Sequence, residues 1–276
     1  MTLLEKVRDY SRRFGLAWVV LRSTQWIVDR IWIAADSLAP PFQALSDRLN
    51  DRLVRYEVDR RLSGPGTRNN LLYSLERKRE AYDNYDWGDE GKEWTLEAAE
   101  ARGIGHAAWE TNLVKELIEP YVRPEDTVLE VGPGAGRWSA RLQPRCSRLI
   151  LADISPVCID LCRGRFSDCT NVEYRLVPDG TLASVPASTI DVVWSYNVFV
   201  ELDRAWAARY MRGIHRVLTP GGLAVIHHYI RSPFKIDSIG MARLIKGEGF
   251  ELLEQNYSVP LSDNEVVSVF RRPLPG

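Results

Sequence analysis

The segment Val128-Leu-Glu-Val-Gly-Pro-Gly-Ala-Gly-Arg-Trp138 constrains this chain more than any other. Apolar residues around one acid predict a short buried strand, and Gly132, Gly134 and Gly136 predict a tight turn leading into a helix. A strand, a glycine turn and a helix aim backbone N–H groups at a helix N-terminus, where a ligand carboxylate or phosphate binds. A dinucleotide fingerprint, G-x-G-x-x-G, wants its third glycine where Arg137 stands. The spacing present is G-x-G-x-G, with Glu130 two residues ahead of it. A carboxylate there opposes a pyrophosphate and suits a ligand that carries an amino group and a sulfonium. Arg148-Leu-Ile-Leu-Ala-Asp153 predicts a second strand ending in an acid, 21 positions after Gly132. An acid so placed accepts hydrogen bonds from ribose hydroxyls and fits either kind of nucleoside cofactor.

With those residues in place, 110–276 resembles a class I S-adenosylmethionine-dependent methyltransferase, and the downstream sequence follows the family's order. Asn171-Val-Glu-Tyr-Arg followed by Asp179-Gly180 is similar to the strand and acidic loop that border the adenine. Thr189 to Ser195 is similar to the fourth strand, Tyr210 to Leu218 to the helix after it, and Leu218-Thr-Pro-Gly-Gly222 with Leu223 to His228 to the fifth strand. Ser238 to Gly249 predicts a helix, and Phe250 to Tyr257 and Glu265 to Phe270 predict a terminal strand pair. The resemblance implies an α/β fold: a doubly wound, seven-stranded, mostly parallel sheet of Rossmann-like type, its last strand inserted antiparallel. It implies S-adenosyl-L-methionine as cofactor, held by Glu130, Gly132, Gly134, Gly136, Asp153, Ile154, Asp179, Gly180 and Ser195. No metal is assigned, because the spacing of His228, Glu201 and Asp203 supports none.

Composition bounds the rest. The chain has 276 residues, enough for one large or two small domains, and is 45% apolar and 26% charged, as ordinary globular chains are. A net charge of −1 argues against a dedicated nucleic-acid binder. Cys146, Cys158, Cys162 and Cys169 lack paired C-x-x-C spacing and are expected as buried thiols in a reducing compartment. The charged first residues, with no cleavage pattern after the apolar stretch, suggest no signal peptide and a cytoplasmic location.

Residues 1–66 are expected to form an amphipathic helical region, ending at the turn signal Ser63-Gly-Pro-Gly66. Residues 14–38 carry three tryptophans and flanking arginines, but Arg22, Asp29 and Arg30 keep any apolar run too short for a membrane span. Residues 1–63 hold 11 basic and 8 acidic side chains, a balance of +3. Two destinations stand for this face: peripheral contact with the inner face of a membrane, or packing on the catalytic domain or a second copy of the chain. Residues 67–109 form an aromatic-rich accessory segment, in which Gly88 to Thr95 resembles methyltransferases of bacterial polysaccharide and glycolipid clusters.

Transfer of a methyl from sulfur is an in-line displacement, so the protein chiefly aligns donor and acceptor, and an alcohol acceptor must also lose a proton. Candidates lie at the carboxyl ends of the strands. Glu201 stands where many relatives have histidine, and its carboxylate can also act as a base, so Glu201 is a catalytic candidate beside the histidines. Half of the chain's four histidines form the pair His227-His228. Adjacent strand residues face opposite ways, and His228 is taken as the one that looks into the pocket, as base or acceptor-orienting group. Trp94, Trp109, Tyr196 and Asn197 are expected to contact the acceptor. The Asn/Asp-Pro-Pro-aromatic sequence of nucleobase-amine methyltransferases is absent. These readings favour O-methylation of a hydroxyl on a sugar, polysaccharide precursor or glycolipid. The alternatives are a small natural-product phenol or acid, or a non-catalytic interaction protein.

Overall fold

The computed structural model describes Val20, Thr24, and residues 75–88, 105–202, 204–230, 232, 235–256 and 264–275. The chain divides into two compact units, Met1–Leu71 and Leu72–Gly276. The expected amphipathic face at 14–38 lies outside the described residues, apart from Val20 and Thr24, and so does Trp94. Among the described residues, no helix is long and apolar enough to cross a membrane.

The second unit is built on one seven-stranded sheet in the order β3-β2-β1-β4-β5-β7-β6. Its strands are β1 (Thr127–Val131), β2 (Arg148–Asp153), β3 (Val172–Leu176), β4 (Ile190–Ser195), β5 (Leu218–Tyr229), β6 (Glu251–Asn256) and β7 (Glu265–Arg271). The first five run parallel; β7 enters antiparallel between β5 and β6. The inner strands have almost continuous apolar sequences because helices cover both faces.

Strand parity sorts the side chains into two cores. Leu129, Val131, Ile150, Ala152, Val193, Ala224, Ile226 and Phe270 face one side. There they meet α5 (Arg204–Val217) and α6 (Ser238–Gly247), whose Ala207, Tyr210, Met211, Ile214, Met241 and Ile245 lie in one apolar stripe per helix. Val128, Leu149, Leu151, Val192, Trp194, Val225 and Val267 face the other side, against α2 (His106–Leu117) and α4 (Pro156–Arg165). Trp194 Nε1 donates to the Leu117 carbonyl at 3.1 Å and locks β4 to the end of α2. α1 (Leu75–Asp83) precedes them and adds a short aromatic segment to this unit.

The glycine turn leads into a helix, but a short one: α3 is the single turn Ser139–Leu142, followed by a 3-10 turn at Gln143–Arg145. Pro144 has no N–H for the Ala140 carbonyl, so an α-helix cannot continue through it.

Sheet order reverses between β1 and β4, so the crevice for a ligand opens at their carboxyl ends. Leu129, fully buried beside that crevice, tests the core. Leu129→Ala is expected to lower unfolding free energy by about 2–5 kcal/mol in urea titration, and a loss under about 1 kcal/mol contradicts this packing.

Candidate active site

A cavity of about 380 Å³ lies at the carboxyl ends of β1, β2 and β4. Gly132, Gly134, Asp153 and Ile154, expected to hold the cofactor, line it, as do Tyr196, Asn197 and Glu201 from the acceptor side. Two of the glycines are required by shape. Gly132 and Gly134 have φ of +74° and +55°, where L side chains are strained. A Cβ on Gly132 would collide with Val198 Cγ2, and one on Gly134 would stand 2.7 Å from Trp87 Cζ3. At these two positions the turn thus leaves backbone, not side chain, against the cavity.

Asp153 ends β2 beside that turn. Its Oδ1 accepts from Ser155 N–H at 2.9 Å and its Oδ2 from Gly134 N–H at 3.4 Å. Burial pushes its pKa up to about 6, against the lowering effect of those N–H groups. A carboxylate on the wall of a nucleoside-sized cavity, with a glycine-rich turn beside it, fits the ribose of S-adenosylmethionine. Ser155 Oγ caps α4 by accepting from Cys158 N–H at 3.0 Å and donates to Asp83 at the end of α1 at 2.5 Å. That bond brings Tyr82, Tyr85 and Trp87 over the cavity. Trp87 Nε1 donates to the Tyr82 carbonyl at 3.0 Å, which fixes the segment's bend.

Five expected cofactor residues are not in the cavity wall. Glu130 lies beneath the turn, 1% exposed, where Ser139 Oγ donates to its Oε2 at 2.5 Å. Burial pushes its pKa up to about 8. Gly136 packs on Phe166. Asp179 is exposed, and its carboxylate accepts from Thr181 N–H at 3.0 Å and Thr181 Oγ1 at 2.8 Å, bonds that hold its pKa below the usual value. Gly180 sits behind the Tyr210 ring, and Tyr210 is the residue that reaches the cavity. Ser195 Oγ donates to the Val131 carbonyl at 2.9 Å and ties β4 to β1.

The acceptor side needs two corrections. His228 does not look into the cavity. Its Nδ1 donates to the Tyr229 carbonyl at 2.9 Å, its Nε2 accepts from Ser268 Oγ at 2.8 Å, and burial lowers its pKa to about 4. A fully buried imidazole with both nitrogens engaged cannot serve as a base near pH 7. Strand parity turns His227 the other way, under the Tyr196 ring (centroids 4.1 Å apart, 9° between planes). Trp109 is 4% exposed and stands behind the wall, edge-on to Trp138 at 5.6 Å. Sequence reasoning missed Arg137, Trp138, Tyr210, Tyr229 and Glu265, all of which line the cavity. The signal for Glu265 was the antiparallel strand itself: its first residue, not its last, arrives at the carboxyl ends of the others. Arg137 signals itself by replacing the fingerprint's third glycine; its Nε bonds Glu110 Oε1 at 3.2 Å with both groups buried.

Glu201 lies at the rim, 44% exposed, with Lys235 Nζ at 3.4 Å from its Oε2. Among the described residues no three His, Cys, Asp or Glu side chains converge as a metal set. Glu130 gives a pH test of the cofactor-free protein. Its folded pKa, about 8, exceeds the unfolded value near 4.5. The stability it contributes is therefore full below about pH 4.5 and is lost as pH rises through 8. Wild type is expected to lose up to about 1.4 kcal/mol per pH unit across that window. Glu130→Gln flattens the slope; equal slopes in urea titrations from pH 5 to 9 contradict the assignment.

Comparison with known proteins agrees with this geometry. Residues 128–222 match the family model described as a methyltransferase domain. The chain is 27% identical over 160 residues to ribosomal protein L11 methyltransferase of Thermus thermophilus, covering 58% of this chain and 59% of that protein. It is 31% identical over 205 residues to chondramide synthase cmdD of Chondromyces crocatus, covering 67% of this chain but 5% of that protein. The chain thus spans less than two thirds of either relative. Among solved structures, it is similar in fold to geranyl diphosphate C-methyltransferase of Streptomyces coelicolor A3(2), with TM-score 0.55, 14% identity, and 75% and 100% of the two chains covered. It is also similar to the [4+2]-cyclase SpnF, with TM-score 0.50, 16% identity, and 62% and 82% covered. A glycine-rich turn, an acid closing the second strand and the sheet order together make a Rossmann-like fold of the methyltransferase type, and residues 128–222 within it are similar to the methyltransferase-domain family.

Proposed function

We propose that this chain methylates a hydroxyl oxygen on a sugar ring of a polysaccharide precursor or glycolipid. The observation that carries the choice of acceptor is a pair of buried donors, Tyr196 Oη and Asn197 Nδ2, that have no partner in the cavity wall. Buried donors left unpaired are costly, and an oxygen-rich acceptor satisfies them. Asn197 is held at φ +64°, an unusual conformation for a side-chain-bearing residue, at the carboxyl end of β4. Around these donors stand the faces of Tyr82, Tyr85, Trp87, Trp138 and Tyr229, which suit the apolar C–H face of a sugar ring.

S-adenosylmethionine, when bound, supplies an electrophilic methyl group on a sulfonium. Asp153 would hold the ribose, and the turn at Gly132 and Gly134 would let the nucleoside approach the backbone. The aromatic segment after α1 covers the cavity and excludes water. Tyr196 and Asn197 would orient the acceptor oxygen, since alignment accounts for most of the rate in an in-line displacement.

Incubation with methyl-tritiated S-adenosylmethionine and an extract of cells lacking this chain tests the reading. Label is expected in a carbohydrate-containing product heavier by one methyl. Label found only in protein or nucleic acid, or in no product, contradicts it. Asp153→Ala is expected to weaken cofactor binding about 100-fold by calorimetry, as loss of charge-assisted hydrogen bonds requires; a change under about threefold contradicts the cofactor pose.

A further inference from the structure

The antiparallel insertion of β7 brings Glu265 opposite Tyr229, at the carboxyl end of β5. Its side chain is 17% exposed and lines the cavity. Beneath the cavity wall, His227 is fully buried, and its Nδ1 accepts the backbone N–H of Asn197 at 3.2 Å. A nitrogen that accepts carries no proton, so the neutral ring bears its hydrogen on Nε2. Nε2 stands 3.4 Å from Glu265 Oε2, close to the carboxylate although short of a formed hydrogen bond. Tyr196, stacked on the same imidazole, has its phenol raised by burial first and by the charge of Glu265 second. Tyr229 likewise is raised by burial and then by both Glu201 and Glu265.

The two carboxylates of the cavity are not equivalent. Glu201 is paired with the Lys235 ammonium at the rim, where its side chain is 44% exposed. Glu265 is more enclosed, and among the described residues no lysine or arginine is within ion-pair distance of it. Resting on the proposed transfer to a hydroxyl, we infer that Glu265 takes the acceptor's proton and that His227 is the residue that positions it. As the acceptor oxygen bonds to the methyl carbon and the carbon–sulfur bond breaks, the hydroxyl proton moves to Glu265. The carboxylate ends as a neutral acid and returns the proton to water through the cavity mouth.

Four variants and one spectrum test this. The assay is transfer of tritiated methyl to the acceptor pool in the same extract, with S-adenosylhomocysteine affinity measured in parallel. Glu265→Gln is expected to lower kcat about 100-fold or more while leaving S-adenosylhomocysteine affinity within about threefold and the melting temperature unchanged. Glu265→Asp should restore at least about tenfold of that loss. His227→Gln, whose amide nitrogen replaces Nε2, should keep kcat within about tenfold, whereas His227→Asn, which reaches only the Nδ1 position, should not. Nitrogen-15 NMR of the unmodified protein should show His227 protonated on Nε2 and His228 on Nδ1. Wild-type kcat in Glu265→Gln, or His227 protonated on Nδ1, overturns the assignment. A wild-type chain that moves no label removes the proposed function and this inference together, whereas an active wild type matched by Glu265→Gln removes this inference alone.

Discussion

Two backbone N–H groups on one buried carboxylate hold the ligand end of this sheet together. Asp153 accepts from Gly134 in the glycine turn and from Ser155 at the start of α4. The same Ser155 reaches Asp83 and so recruits α1 with its aromatic residues. One side chain at the end of β2 therefore connects the turn, the helix cap and the cover of the cavity. Burial works against that charge and raises its pKa, while the N–H donors restore it. A ligand that offers two more hydroxyl donors relieves the same group, which explains why this position suits a ribose.

The other half of the cavity follows from strand parity. Neighbouring residues on β5 face opposite cores, and the sequence pair His227-His228 splits into one ring under Tyr196 and one ring closed off by Ser268. Because β7 runs antiparallel, its start reaches the same edge as the ends of its parallel neighbours. Glu265 then lies near His227 although 38 positions separate them in the chain. Topology, and no local motif, makes that proximity.

Much of the fold was legible because its signals are local. The apolar runs at 128–131, 148–153 and 190–195 each became a buried parallel strand, and the predicted terminal pair became β6 and β7. Gly132, Gly134, Asp153 and Ile154 were legible because turn chemistry and strand ends fix them within a few residues. Asp179 was misplaced because a short acidic side chain next to Thr181 satisfies itself inside its own loop. His228 was preferred over His227 because parity says that the pair divides without saying which member faces which core. Glu265 escaped notice because its place depends on a long-range antiparallel pairing, and the aromatic cover on a contact between Asp83 and Ser155, 72 positions apart.

The structure of the full chain crystallised with S-adenosylhomocysteine probes the central claim most directly. The account predicts the ribose hydroxyls within hydrogen-bond distance of Asp153, the nucleoside against Gly132 and Gly134, and the sulfur facing Tyr196 and Asn197. An empty crevice, or a nucleoside bound away from Asp153, would contradict it.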